Sequence, residues 1–246
     1  METNIAFIFI GTNKYIDFFE EYYKGVTSSF LPHVDKTIYA FTDDPDNPIF
    51  DKENTKTIQI EHKPWPYITL KRFNFICEAE DELKEFTDII FLDADMVVDQ
   101  YIPDEFTDQY DHYFGVHHPG QFMYGDVCEF EKNVLSTACI KGDTSQTKYH
   151  QGCFWGGKNP YILDMIKELK QKVEEDLEND FVAAWHDESH LNRFFYDNKE
   201  KVFTFHSGFA YPQEWDLDLP KFIIHLDKNM AEYPRFRGAK NAADNR

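Results

Sequence analysis

Two aspartates, Asp93 and Asp95, flank the small Ala94 directly after the apolar run 89–92. Carboxylates at that spacing can share one divalent cation whose other positions are filled by a substrate diphosphate. Such all-oxygen ligation suits Mg2+ or Mn2+. The cation would neutralise charge gathering on a departing diphosphate. An Asp-x-Asp triplet by itself is common, and its place at the end of a buried-strand pattern is what gives it chemical meaning.

A second constellation is the run Trp185-His186-Asp187-Glu188-Ser189-His190-Leu191-Asn192. His186 and His190 lie four apart, a spacing that sets two imidazoles on one helical face for zinc. The zinc-hydrolase pattern, however, needs Glu immediately after the first His, and Asp187 stands there. The plainer reading is a helix start, with Asp187 or Ser189 satisfying amides and Leu191, Phe194 and Phe195 in the core. That reading leaves Glu188 a further use. A carboxylate beside the apolar Trp185 can stabilise positive charge at an anomeric carbon during glycosyl transfer. Glycines form a third group: Gly152 within His150-Gln151-Gly152-Cys153, then the pair Gly156-Gly157. They are read either as turn residues or as points where backbone approaches a ligand closely.

These groups need elements to position them. Residues 5–10 form a short apolar run ending at Gly11-Thr12-Asn13, followed by a helical pattern through Tyr15, Phe18, Phe19 and Tyr22. Residues 37–42 predict a second strand and residues 57–60 a third, weaker one. Residues 70–83 predict a helix with Phe73, Ile76, Cys77 and Leu83 inward. The run 88–92 suits a central parallel strand covered on both faces. Strands alternating with helices to this point imply a doubly wound α/β half with a nucleotide crevice at the strand ends. Beyond it lie two Gly- and aromatic-rich stretches, 117–124 and 149–157. Helices are then expected over 161–177 and within 181–196. With no repeat or linker-like tract, one continuous domain over 1–246 is expected, with a polar tail over 239–246 that can fray.

Composition excludes several classes. The formal net charge of -20 argues against a nucleic-acid partner and against an anionic membrane surface. The four cysteines show no paired metal-binding spacing, so free thiols in a reducing compartment are expected. No cationic leader precedes an apolar run near Met1, and no stretch approaches the ~18 apolar residues that span a bilayer. A soluble, cytoplasmic protein is therefore expected.

Taken together, these segments resemble glycosyltransferase family 6, the family of the ABO blood-group transferases and the α-1,3-galactosyltransferase. The run 185–192 matches the family's catalytic signature without a mismatch. In the right order it is joined by Tyr39-Ala40-Phe41-Thr42-Asp43, Arg72 after Trp65, and Leu92-Asp93-Ala94-Asp95-Met96. His118-Pro119-Gly120, the stretch 149–157 and Lys228-Asn229 complete the series. The similarity spans residues 4–238.

The resemblance implies a GT-A fold, an α/β Rossmann-like mixed sheet flanked by helices. It implies a UDP-sugar donor, galactose or N-acetylgalactosamine as the sugar, and a galactoside-type glycan acceptor. Transfer would retain configuration in an α-1,3 linkage, with Mn2+ held by Asp93 and Asp95. By position, Ile10, Gly11, Thr12 and Tyr15 would surround uracil and ribose. Arg72, Ala94 and Asp187 would lie along the diphosphate and sugar, and Gln151, Gly152 and Cys153 would face the donor sugar. Lys228, with Arg235 or Arg237, would close over the diphosphate. Glu188 would be the catalytic carboxylate, stabilising an oxocarbenium-like transition state. Trp185 and His118 would line the acceptor site, with Trp215 as a further contact.

Three departures stand out. Vertebrate members carry an N-terminal anchor and stem, whereas this chain begins almost at its first strand, as suits a microbial or viral member. Some bacterial relatives have Asn-x-Asn and work without metal, while both aspartates here imply metal dependence. The stretch Gln151-Gly152-Cys153 matches neither the galactose nor the N-acetylgalactosamine pattern. Two other classes stay open at this point: a sugar-binding module with little catalysis, and a zinc hydrolase using His186 and His190.

Overall fold

The structure is a computed structural model and describes residues 2–125 and 128–227. Strands β1 (Asn4–Ile10), β2 (Asp35–Thr42) and β3 (Thr55–Gln59) follow one another, with helix α1 (Phe19–Ser28) between the first two. The expected helix over 70–83 is broken into α2 (Tyr67–Leu70), α3 (Arg72–Glu78) and α4 (Glu80–Leu83), with non-helical joints at Lys71 and Ala79. Next come β4 (Asp88–Leu92), β5 (Met96–Val98), β6 (Tyr113–His117), α5 (Pro119–Tyr124) and β7 (His150–Lys158). The chain continues through α6 (Tyr161–Glu178), α7 (His186–Asp197), β8 (Val202–Phe205), β9 (Tyr211–Pro212) and β10 (Ile223–His225).

Seven strands form one mixed sheet in the order β3-β2-β1-β4-β7-β6-β8. The first four are parallel, β7 runs antiparallel to both β4 and β6, and β8 pairs parallel to β6. This is the expected doubly wound half, extended by an antiparallel part that the residue pattern did not disclose. A small second sheet, β5-β10-β9, sits beyond the end of β4.

Side chains alternate across a strand, so a sheet covered on both faces shows continuous apolar runs. In β1, Ile5, Phe7 and Phe9 join Phe19, Tyr22 and Val26 of α1 on one face. Ala6 and Ile8 join Phe73 and Ile76 of α3, Ile162 and Ile166 of α6, and Phe194 of α7 on the other. β4 repeats the split, with Ile90 and Leu92 on the α1 side and Ile89 and Phe91 opposite.

Stretch 149–157, whose glycines were read as turn residues or as points of close ligand approach, is largely strand β7, inside the sheet. Its glycines are needed for packing: a Cβ on Gly156 would come within 2.5 Å of the Ile89 carbonyl oxygen on the adjoining strand. Among the described residues, no helix is long and apolar enough to cross a membrane.

Candidate active site

The two aspartates sit where β4 stops. The Asp93 N–H still donates to the Cys153 carbonyl on β7, at 2.8 Å, and the Met96 N–H closes a tight turn onto the Asp93 carbonyl, at 3.1 Å. The turn splits the carboxylates. The Asp93 side chain is 29% exposed, whereas that of Asp95 is 1% exposed, with its Oδ2 3.3 Å from His225 Nε2. Two hard oxygen donors from one turn fit Mn2+ or Mg2+ better than a softer ion. Among the described residues no group of three His, Cys, Asp or Glu side chains is arranged to hold an ion.

Helix α7 brings the second acidic pair to the same strand ends. His186, at its first position, has a left-handed backbone (φ 53°), which turns the chain sharply into the helix. Asp187 then meets buried Arg72, with Oδ2 3.2 Å from Nε. Arg72 is the hub of the site. Its Nη1 donates to the Gly152 carbonyl at 2.8 Å, its Nη2 lies 3.9 Å from Asp93 Oδ2, and its Cζ sits 4.5 Å over the Phe91 ring. A planar guanidinium can meet several partners at once in a way that a lysine cannot.

Glu188 points at β7. Its Oε2 accepts from the Gly152 N–H at 2.7 Å, and a Cβ on Gly152 would stand 3.3 Å from the Glu188 Cβ. The glycine is therefore where strand and helix come together, with Gly152 bound to Glu188 by its N–H and to Arg72 by its carbonyl. Asn192, one helical turn on, fixes this approach. Its amide donates to the His150 and Glu188 carbonyls and accepts from the His150 N–H, so one side chain pairs with β7 as a neighbouring strand would.

Burial dominates the titration of this pair. It pushes Glu188 up to about 7, against the hydrogen bond from the Gly152 N–H, while Asp187 adds to the rise. It pushes Asp187 up to about 6, opposed by Arg72 and reinforced by Asp93. Perturbed carboxylates of this kind are frequent at functional sites, where desolvation is put to use.

Other predicted residues lie on β1, the turn after β4, β7, α5 and the loops beside them. Ile10 ends β1, the strand beside β4. The Gly11 N–H donates to the Phe41 carbonyl, Thr12 Oγ1 lies 2.9 Å from His62 Nδ1, and the Tyr15 N–H donates to the Thr12 carbonyl. Ala94 is buried in the turn, Cys153 is buried in β7, and Gln151 Nε2 lies 3.3 Å from His225 Nδ1. His118 caps α5, its Nδ1 accepting from the Gly120 N–H, and its own N–H donates to the Tyr149 carbonyl. Burial lowers His118 to about 4, so its ring is neutral near pH 7. Trp185 is 44% exposed beside Glu188, and Trp215 packs edge-on against Tyr124 at the end of α5. Lys228, Arg235 and Arg237 lie outside the described residues.

The zinc reading fails on geometry. His186 packs edge-on against Trp65, whereas buried His190 faces Asp176 and Thr137, so the two imidazoles serve separate neighbours. Ser189 does cap as expected, accepting from the Trp185 N–H, while Asp187 turns to Arg72 instead. Sequence reasoning missed Tyr149, His225, the clamp formed by Asn192, and Trp65 and His62 as supports. Tyr149, Asn192 and Trp65 left traces as members of quoted motifs, whereas His225 and His62 left none.

The sequence matches the model of glycosyltransferase family 6 over residues 1–223. It is 30% identical over 225 residues to the O-antigen biosynthesis glycosyltransferase WbnI of Escherichia coli, covering 91% of this chain and 94% of that one. It is 25% identical to the rat histo-blood group ABO system transferase 2, covering 82% of this chain and 62% of that one. To the human globoside alpha-1,3-N-acetylgalactosaminyltransferase 1 it is 26% identical, covering 81% of this chain and 58% of that one. The chain thus spans about three fifths of the length of these mammalian relatives.

Proposed function

The chain belongs to glycosyltransferase family 6, and on that premise we propose that it is a metal-dependent, retaining transferase. It moves galactose or N-acetylgalactosamine from a UDP-sugar onto a galactoside-type glycan acceptor in α-1,3 linkage. The observation that carries this reading is the contact path from Glu188 through Gly152 and Arg72 to Asp93. It sets a carboxylate suited to a positive carbon beside carboxylates suited to the leaving group's counterion.

Asp93 and Asp95 would hold the divalent cation, Mn2+ by preference. When bound, that cation supplies positive charge against the diphosphate as the sugar–phosphate bond breaks. Arg72 keeps Asp187 and Gly152 in register, so that Glu188 stands at a fixed height against the donor sugar. Positive charge then develops on the anomeric carbon, and the Glu188 carboxylate stabilises it. In a desolvated site that attraction is stronger than it would be in water. Trp185 offers an apolar face to a sugar ring, and neutral His118 serves the acceptor as a hydrogen-bonding group. Gln151 and Cys153 face the donor sugar. The relatives named for N-acetylgalactosamine transfer support the donor class.

The test is UDP release from UDP-galactose and UDP-N-acetylgalactosamine, with lactose-like acceptors, in Mn2+ and in EDTA. Turnover of at least one donor, abolished by EDTA, is expected. No turnover of either donor overturns the reading. Undiminished turnover in EDTA removes the metal and leaves the transferase.

A further inference from the structure

His225 stands between two parts of the site that have separate jobs in the proposed reaction. It is the last residue of β10, paired with Met96 of β5 and so adjacent to Asp95. The backbone around it is tied down on both sides. The Leu226 N–H donates to the Asp95 carbonyl at 3.0 Å, and the His225 carbonyl accepts from the Gln213 N–H at 3.0 Å. Its ring faces Asp95 Oδ2 through Nε2 and Gln151 Nε2 through Nδ1, each at 3.3 Å.

The ring thus bridges Asp95 and Gln151. Gln151 presents Nε2 to it, which leaves Oε1 on the other side of the amide. Oε1 is buried and has no hydrogen-bond partner among the described residues. A buried acceptor left in that state is costly, which favours a ligand that brings a donor to it.

We propose that His225 is a positioning residue joining the cation-holding Asp95 to Gln151, so that the grip on the metal and the reading of the donor sugar are coupled. Held against His225, the Gln151 amide offers the sugar its Oε1 acceptor, matched to a sugar hydroxyl or an acetamido N–H. The inference rests on the transferase reading for the identity of the ligand.

The experiment measures Mn2+ binding by electron paramagnetic resonance titration and UDP-galactose binding by calorimetry, neither of which needs turnover. A wild-type protein that binds both but transfers nothing would defeat the transferase reading and leave His225 open to test. His225→Leu is expected to weaken Mn2+ binding by roughly 10–100-fold, the usual effect of losing a partner that orients a ligand. Gln151→Leu should weaken UDP-galactose binding with little effect on Mn2+. The His225→Leu/Gln151→Leu pair should weaken UDP-galactose binding by less than the product of the single effects, since both break one link. His225→Gln, which keeps a donor and an acceptor, should recover part of the Mn2+ affinity and covers the case in which His225→Leu fails to fold. Unchanged Mn2+ affinity in a folded variant, or strictly multiplicative effects on UDP-galactose, would overturn the proposal. So would an electron spin echo signal from a nitrogen bound directly to Mn2+ and lost in His225→Gln, which would make the imidazole a ligand and not a support.

Discussion

Asp93 and Asp95 at the end of β4 contrast with Asp187 and Glu188 at the start of α7. The first pair sits on a tight turn, one side chain reaching outward and the other buried against His225. The second pair is enclosed, and burial raises it to about 6 and about 7 in spite of Arg72 and the Gly152 N–H. The difference suits two uses of one functional group. On the proposed reading the strand-end pair would meet an added cation, together with oxygens that a substrate brings. The helix-start pair has little water to stabilise its charge, so an arriving positive charge gains more from it. A carbon that becomes positive only in the transition state is the partner that suits such a group.

The largest expected effect separates the two pairs directly. Glu188→Gln removes the charge while keeping the shape, and kcat should fall by roughly 10²–10³, the scale of losing one preorganised electrostatic group. Donor affinity should change little; a variant with weakened UDP affinity and normal kcat would reverse the assignment of roles. Next is the residue that links the pairs. Arg72→Met leaves buried Asp187 without its guanidinium and should cost about 3–5 kcal/mol at pH 7, measured by chemical denaturation. The loss should shrink at pH 5, where Asp187 takes up a proton; a loss independent of pH would mean that Arg72 matters only for packing.

Asp95→Asn should act on the other pair alone. Mn2+ and UDP-sugar binding should weaken together in calorimetry, by roughly tenfold or more, with kcat partly restored at high Mn2+. Unaltered Mn2+ affinity would move the cation elsewhere. The smallest effect concerns stability. In the folded protein Glu188 holds its proton up to about 7, whereas an unfolded glutamate loses it near 4.3. Between those values the unfolded chain binds fewer protons, so metal-free stability should decline as pH rises from about 4 to about 7. Glu188→Gln should flatten that slope, and an identical slope would argue that Glu188 is not the group responsible.

Legibility in the sequence followed physical locality. β1, β2 and β4 were readable because strands buried on both faces need unbroken apolar runs, and α6 because its apolar spacing is long and regular. β7 was hidden. Its glycines resemble a turn until the Ile89 carbonyl on the neighbouring strand shows why no side chain fits. The break of 70–83 into three pieces depends on backbone at Lys71 and Ala79 that no residue type there announces. At the site, Asp93, Asp95 and Glu188 were visible because the chemistry restricts residue type at fixed spacing. The contacts among their supports were not. Gln151 and His225 are 74 positions apart, and Arg72 reaches Gly152 across 80, so only the folded sheet makes them neighbours.

The account turns on both carboxylate pairs attending one donor. Anomalous X-ray diffraction at the manganese edge, on crystals grown with Mn2+ and UDP, tests it most directly. A single strong peak within coordination distance of Asp93, Asp95 and the diphosphate is expected, with Glu188 on the side of the diphosphate where the sugar would be carried. A peak held by other residues, or a diphosphate bound away from Glu188, would contradict it.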